Sequence, residues 1–348
     1  MNDSVLTFSP RFTRSSLSIP DDLFEIFSRL PSKAIARCRC LLFVFEAHRE
    51  IAFFSSPQPE NPEENSYVVA ANQLAHFPSA YGFSARTSGF FCYQVEHIFE
   101  GSKVPEFVPV ICNPSTGQSL ILPTLKSTKR FGVESYLGYE PIAKEFKVLS
   151  MECSCESGEW ISAKHQVLTL GTNKLSWRFV ECCIPHLSSS KWMCISGVLY
   201  YAAAAYSSYE RTMVACFDLR SEKFSFVNFS RAMPSSTTLV NYNGKLGLLM
   251  SGDLGDFGDI AILVIKVLSC GFYEMLEKMS AARNMCIAEM VGVNEIVLAP
   301  WFQNVPSYVI YFNVERKTIT KVGIQGMEAF QGKRFDTYLN YVDNVKLI

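Results

Sequence analysis

Val110-Ile-Cys-Asn113-Pro-Ser-Thr-Gly117-Gln-Ser-Leu120-Ile-Leu-Pro123 is the stretch on which the reading of this chain turns. An apolar run ends on a turn-forming residue, a few small or polar residues follow, and a second apolar run begins. Pro and Asn pre-set a turn and Gly supplies a positive φ, so the stretch reads as two strands joined by a tight connection. The same pattern appears at Leu42-Phe-Val-Phe-Glu46 with Ile51-Ala-Phe-Phe, and at Val167-Leu-Thr-Leu-Gly-Thr-Asn173 with Trp177-Arg-Phe-Val. It returns at Val214-Ala-Cys-Phe-Asp218 with Phe224-Ser-Phe-Val, at Ile262-Leu-Val-Ile-Lys-Val267 with Phe272-Tyr-Glu-Met, and at Val309-Ile-Tyr-Phe-Asn313 with Ile319-Thr-Lys-Val. Marks at 46, 113, 173, 218, 267 and 313 are separated by steps of 67, 60, 45, 49 and 46 residues.

The last three steps match one four-stranded propeller blade, roughly 40–50 residues. The two longer steps absorb insertions, read as the Pro/Asn/Glu-rich loop from Pro57 to Ser66 and a turn from Cys153 to Glu159. Further hairpins lie between the marks, among them Leu239 to Met250 around Asn243-Gly244, a tight-turn pair. Ile195-Ser-Gly-Val-Leu-Tyr-Tyr201 and Val293-Asn-Glu-Ile-Val-Leu298 read as inner strands of successive blades. A single blade cannot bury both of its faces, and radial stacking solves that while shortening exposed edges. The expectation is a mainly β fold of repeated four-stranded, propeller-like units in five or six blades. A pair of β-sandwiches is the alternative, because irregular repeat lengths do not fix ring closure.

Residues 1–17 are polar and irregular and read as a disordered leader. In Ser18-Ile-Pro-Asp-Asp-Leu-Phe-Glu-Ile-Phe-Ser-Arg-Leu-Pro31, Pro20 pre-sets a helix start and Asp21, Asp22 and Glu25 sit at the positive end of its dipole. Leu23, Ile26, Phe27 and Leu30 form one apolar stripe, Pro31 stops the helix, and Ser32 is placed to cap a second one over residues 33–40. Such a pair is too small to be stable alone.

The whole chain has 348 residues, 48% hydrophobic and 19% charged, a globular composition with a sizeable core. Its 32 basic and 33 acidic side chains nearly cancel, so nothing in the charge demands nucleic acid or an anionic membrane as a partner. The amino-terminal residues lack a secretory signal pattern, and the most apolar run, Ile260 to Leu268, is too short to span a bilayer. The twelve cysteines are expected as free thiols in the cytoplasm or nucleus. Cys38/Cys40, Cys153/Cys155 and Cys182/Cys183 lack the paired Cys-x-x-Cys spacing of structural zinc, so buried thiols are expected and no metal or other cofactor.

No phosphate-binding glycine loop, nucleophile elbow or zinc-protease motif occurs, so no catalytic residue is assigned. His48, His76, His97, His165 and His186 have no ligand spacing, and His165 is expected to open a strand in a hydrogen-bonded structural role. Asp253, Asp256 and Asp259 fall every third residue but lack the closing Glu of a calcium loop and read as a solvated turn. Most aromatics read as core. Tyr206, Tyr209 and Trp301 fall in loops, where aromatic side chains commonly anchor protein interfaces, and are the candidates for target binding.

Two stretches resemble known families. Residues 18–40 are similar to the first half of an F-box, the helical module that docks on the Skp adaptor of cullin-based ubiquitin ligases. The resemblance implies adaptor-facing roles for Ile19, Pro20, Leu23, Ile26, Phe27, Leu30 and Pro31. It stops at Cys40, where the family continues with a Val-Ser-Lys-x-Trp-like helix and this chain runs into Leu41-Leu-Phe-Val-Phe45. Residues 41–348 resemble the F-box-associated domain of plant F-box proteins, in Val110–Pro123, Leu137–Leu149, His165–Gly171, Cys216–Phe224, Asn294–Pro300 and Asp343–Leu347. Together they imply a non-catalytic recognition subunit that holds a target protein through its β domain and reaches cullin through the adaptor. The missing half of the F-box leaves a second reading open, a free-standing protein-binding module without ligase coupling.

Overall fold

An apolar run such as Leu41-Leu-Phe-Val-Phe45 has no polar side to give to solvent, so as a strand it must be covered on both faces. The computed structural model describes residues 40–341 apart from 48–49, 60–67, 79–80, 88, 99–105, 126–132, 157–158, 173, 206–211, 229–236, 252–262, 269–284 and 293. The helical pair expected over residues 18–40 therefore lies outside the described residues, except for Cys40, which begins the first strand.

That strand, β1 (Cys40–Ala47), pairs antiparallel with β2 (Glu50–Pro57). The short β3 (Val68–Ala70) leaves this sheet, and β4 (Asn72–Pro78) returns to pair with β2. The next blade is β5 (Tyr81–Thr87), β6 (Phe90–His97), β7 (Glu106–Asn113) and β8 (Gln118–Ile121), in that spatial order. Then come β9 (Val133–Glu140), β10 (Glu145–Glu156), β11 (Glu159–Thr169) and β12 (Arg178–Val180), followed by β13 (His186–Ile195), β14 (Val198–Ala205), β15 (Thr212–Asp218) and β16 (Lys223–Asn228). A three-stranded sheet holds β17 (Thr238–Tyr242), β18 (Lys245–Ser251) and β19 (Leu263–Leu268), the last pairing parallel to β18. The chain closes with β20 (Met285–Val291), β21 (Glu295–Pro300), β22 (Ser307–Asn313) and β23 (Thr318–Gln325), on whose edge β3 adds a parallel fifth strand. Last, β24 (Phe335–Tyr341) crosses to β1 and supplies the innermost strand of the first blade.

Six sheets thus follow one another round a ring, five of them containing a complete four-stranded blade. The expectation of five or six propeller-like blades holds. The innermost strands touch in succession from β5 through β9, β13, β17 and β20 to β24. Every junction between sheets among the described residues is filled by an apolar cluster, one of which spans two junctions. Phe53, Phe77, Phe91 and Tyr93 join the first blade to the second, with Phe53 and Phe91 ring centroids 4.9 Å apart. Tyr136, Val148, Trp192, Leu199 and Tyr201 lie in the continuous core of the next three blades. Val214 and Leu248 join the fourth blade to the three-stranded sheet, and Val240, Leu249 and Ile310 join that sheet to the last blade. Phe43, Phe45, Val309 and Phe335 close the ring, with Phe45 stacked on Phe335 at 5.1 Å.

Burial follows position within a blade. Second and third strands are covered over most of their length on both faces, as in β7 from Val108 to Asn113 and β21 from Ile296 to Pro300. The fourth strands β12 and β16 carry mixed exposed residues, as edges facing solvent do. Among the described residues the only helical turn is a 3₁₀ segment, Glu328–Phe330.

Several expectations need correction. Ile195–Tyr201 and 293–298 are not inner strands; each covers a first turn and the second strand of its blade. Marks 113, 218 and 313 fall at the end of a third strand, and 173 falls in the matching connection. Glu46 ends a second strand, because the first blade borrows its innermost strand from the carboxyl terminus. Val267 lies in β19, whose parallel pairing replaces the expected hairpin. Cys153 to Glu159 covers the tip of the β10–β11 hairpin, and the extra length there is paired strand as well as turn. The Pro57–Ser66 loop lies largely, and the Asp253–Asp259 turn wholly, outside the described residues.

Candidate functional site

The two ends of the ring are built differently. At one end, first strands turn into second and third into fourth through short connections: 114–117, 141–144, 196–197, 219–222, 243–244 and 314–317. A polar residue organises several of them. Asn113 Oδ1 accepts from the Ser115 N–H at 3.0 Å, Glu140 accepts from Ile142 and Ala143, Asp218 from Ser221, and Asn313 from Glu315 and Arg316. Four residues after each of these, Gly117, Lys144, Glu222 and Lys317 have φ of 70°, 57°, 56° and 56°. This is one turn design used four times. The connections from β2 to β4 and from β11 to β12 are longer exceptions.

At the opposite end the links between second and third strands, and between successive blades, include 98–105, 122–132, 181–185, 206–211, 301–306 and 326–334. Three others there, 48–49, 79–80 and 157–158, are short. Long connections on a rigid scaffold are where proteins place recognition, so this end is the candidate binding face.

Trp301 stands in the best described of these links. Its carbonyl accepts from the Phe335 N–H at 3.2 Å, and Phe302 bridges to Arg334. Gln303 is 2% exposed, donating its N–H to the Lys333 carbonyl and accepting from Ser307 Oγ at 3.0 Å. With the backbone pinned this way, the side chains project from a fixed platform. Phe302 is 47% and Val305 55% exposed, and the Arg334 guanidinium lies 5.2 Å from the centre of the half-buried Trp301 ring. Tyr206 and Tyr209, in the equivalent link between β14 and β15, lie outside the described residues, as do Ile19, Pro20, Leu23, Ile26, Phe27, Leu30 and Pro31. The aromatics expected in the core are there: Phe90, Phe91, Tyr201 and Tyr311 are buried.

A second cluster on this end was not anticipated. His165 sits inside β11 rather than opening a strand, and its buried Nε2 has no hydrogen-bond partner, contrary to the role expected for it. His186 opens β13, is fully buried, and its ring centre lies 5.3 Å from that of His165. Cys182, half-buried in the 181–185 link, brings its Sγ to 3.8 Å from His186 Nδ1. One ligand atom from each of the three lies within 4.8 Å of the others. Burial holds both imidazoles neutral, His165 down to about 3 and His186 below its ordinary value, and pushes the Cys182 thiol up. The eight cysteines whose side chains are described are all free thiols.

The link between the third and fourth blades is also electrostatic. Lys147, 7% exposed, donates to the Leu219 carbonyl at 2.7 Å and to Glu222 at 2.8 Å, and Arg178 reaches the same carboxylate with its Nε at 2.9 Å. Burial alone would raise the Glu222 pKa, but these hydrogen bonds outweigh it and hold it below the ordinary 4.5.

Residues 40–345 match the model of the F-box associated β-propeller domain. Two proteins of Arabidopsis thaliana are similar over nearly their whole length. F-box protein DOR is 42% identical over 370 residues, covering 95% of this chain and 94% of that protein. F-box protein At5g65850 is 39% identical over 383 residues, covering 98% of this chain and 93% of its own length.

Proposed function

The chain belongs to the family of F-box proteins with an F-box associated β-propeller domain, and on that premise we propose that it is a substrate-recognition subunit of a Skp–cullin–F-box ubiquitin ligase. In this reading the long-linked end of the propeller holds a target protein, and residues 18–40 reach the adaptor. The observation that carries it is the family match over residues 40–345, joined to full-length similarity with proteins named as F-box proteins. Recognition rather than chemistry is what the chain contributes, since ubiquitin transfer belongs to other subunits of such a ligase.

The platform of Trp301, Phe302 and Arg334 supports the target-binding half of this reading. Trp and Arg are the residue types that dominate interface energetics, and a pinned backbone spares part of the ordering cost of binding. Tyr206 and Tyr209 belong to the same proposed surface. The adaptor-binding half rests on Ile19, Pro20, Leu23, Ile26, Phe27, Leu30 and Pro31. A binding measurement between the purified full chain and a plant Skp adaptor tests it, with a relative carrying a complete F-box alongside. Binding weaker than the relative's, and lost in Leu23→Ala/Leu30→Ala, is the expected result. No binding by this chain under conditions where the relative binds would overturn it.

A second reading, a protein-binding module without ligase coupling, is favoured by one observation. The strand β1 begins at Cys40, so the chain leaves no room for a third helix between the expected pair and the propeller. Alignments of 370 and 383 positions to a 348-residue chain also mean that each relative carries residues with no counterpart here.

A further inference from the structure

We infer that His165, Cys182 and His186 form a zinc site at the junction of the third and fourth blades, with a fourth coordination position open to solvent. Three elements converge to make it. His165 comes from β11, Cys182 from the 181–185 link, and His186 from the first position of β13. One thiol and two imidazoles are a ligand set for a borderline-soft ion such as zinc.

The spacing suits such an ion. A tetrahedral zinc with bonds of about 2.3 Å to sulfur and 2.0–2.1 Å to nitrogen sets those two atoms about 3.6 Å apart. Cys182 Sγ and His186 Nδ1 are 3.8 Å apart, and the third donor lies within 4.8 Å of both. The Cys182–His186 pair fits nearly as it stands, and a donor as far away as 4.8 Å would have to close by about 1.2 Å on binding.

The protons also point to the site. The Ile184 carbonyl can only accept, and it takes the Cys182 S–H at 3.3 Å and the His186 Nδ1–H at 2.7 Å. Those are the two positions a metal would occupy. His186 Nε2 lies 2.7 Å from the Tyr201 hydroxyl, which donates to it in the metal-free state. On binding, the thiol releases its proton and the His186 proton moves from Nδ1 to Nε2, where it is donated to the Tyr201 oxygen. Tyr201 thereby orients the ligand, as the outer partners of metal-bound histidines usually do. His165, 4% exposed with Nε2 unpartnered, is a buried imidazole whose lone pair no protein group uses. Leaving it so is costly, and a metal would remove that cost. Cys182, half-buried between exposed Glu181 and Cys183, is the ligand nearest to solvent.

The test is titration of the chelator-treated full chain with cobalt(II) as a spectroscopic probe, then with zinc in competition. The expected result is one cobalt per chain with a thiolate-to-metal charge-transfer band that zinc abolishes. Cys182→Ser should lose the band while keeping the wild-type circular dichroism spectrum, and Cys183→Ser, which removes only the neighbouring exposed thiol, should keep it. Tyr201→Phe should retain the band but weaken zinc affinity roughly 10- to 100-fold. Zinc should also raise the thermal midpoint of the wild type and not that of Cys182→Ser. A band that survives in folded Cys182→Ser, or no band in the wild type at stoichiometric cobalt, would overturn the site.

Discussion

Glu222 shows how much one side chain carries in this ring. Its backbone completes a turn at a φ of 56°, and its carboxylate receives Arg178 and the nearly buried Lys147 from the preceding blade. Replacing it with Gln removes the negative charge that faces Lys147 and Arg178 while keeping one acceptor oxygen, and should destabilise the protein by about 1–3 kcal/mol at pH 7. Because the folded-state pKa lies below 4.5, the unfolded chain takes up the proton first. The contribution is therefore complete above the unfolded value and is lost as pH falls through the folded one. Urea midpoints of wild type and Glu222→Gln should differ at pH 7 and converge as the pH falls below 4.5 and through the folded-state value.

At the scale of the element, the repeated turn uses glycine once and a side chain three times at the same left-handed position. A non-glycine residue there costs about 1–2 kcal/mol, so exposed Lys317→Gly should stabilise by about 0.5–1 kcal/mol after the entropy of the added glycine. Gly117→Ala, with no atom near the added Cβ, should cost about the steric penalty alone. Gly326 is different: at a φ of 99° its Cβ would meet the Ala71 carbonyl, where Ala71 donates its N–H to Gln325. Gly326→Ala should cost about 2–3 kcal/mol and detach β3 from β23, read as lost amide-exchange protection at Ala71.

The turn is also why so much of the fold was legible. Asn113, Asp218 and Asn313 mark the same place because an Asn or Asp that caps the next residues and a strand rich in buried apolar side chains occur together in sequence. The mark at Glu46 slipped by one strand because ring closure is a pairing between the two ends of the chain, which no local pattern records. Val267 misled because a parallel partner leaves no hairpin signature. Trp301 was legible from Pro300 and its loop composition. His165, Cys182 and His186 were not: they meet across a strand pair and a blade junction, at spacings with no motif.

For the molecule as a whole, stability depends on the closing strand. Phe335 pairs with Phe45 across the β1–β24 seam and stacks on its ring. Phe335→Ala should cost about 3–5 kcal/mol by calorimetry or denaturant unfolding, more than any change at a fourth strand, because it loosens the β1–β24 seam that closes the ring. The closed ring in turn carries the Trp301 link, whose backbone is held by Gln303, Lys333 and Phe335. Trp301→Ala with Phe302→Ser should lower target capture while leaving the thermal midpoint within about 1–2 °C, since both side chains project from a backbone held by Gln303, Lys333 and Phe335.

The proposed delivery of a target protein to a ubiquitin ligase is tested by quantitative affinity capture of the tagged full-length chain from plant cells with the proteasome inhibited. Recovery of a Skp adaptor and cullin together with ubiquitin-bearing target proteins is expected. Adaptor and cullin should be lost in Leu23→Ala/Leu30→Ala, and targets in the Trp301 and Phe302 double variant. Recovery of target proteins without adaptor, cullin or ubiquitin would contradict it.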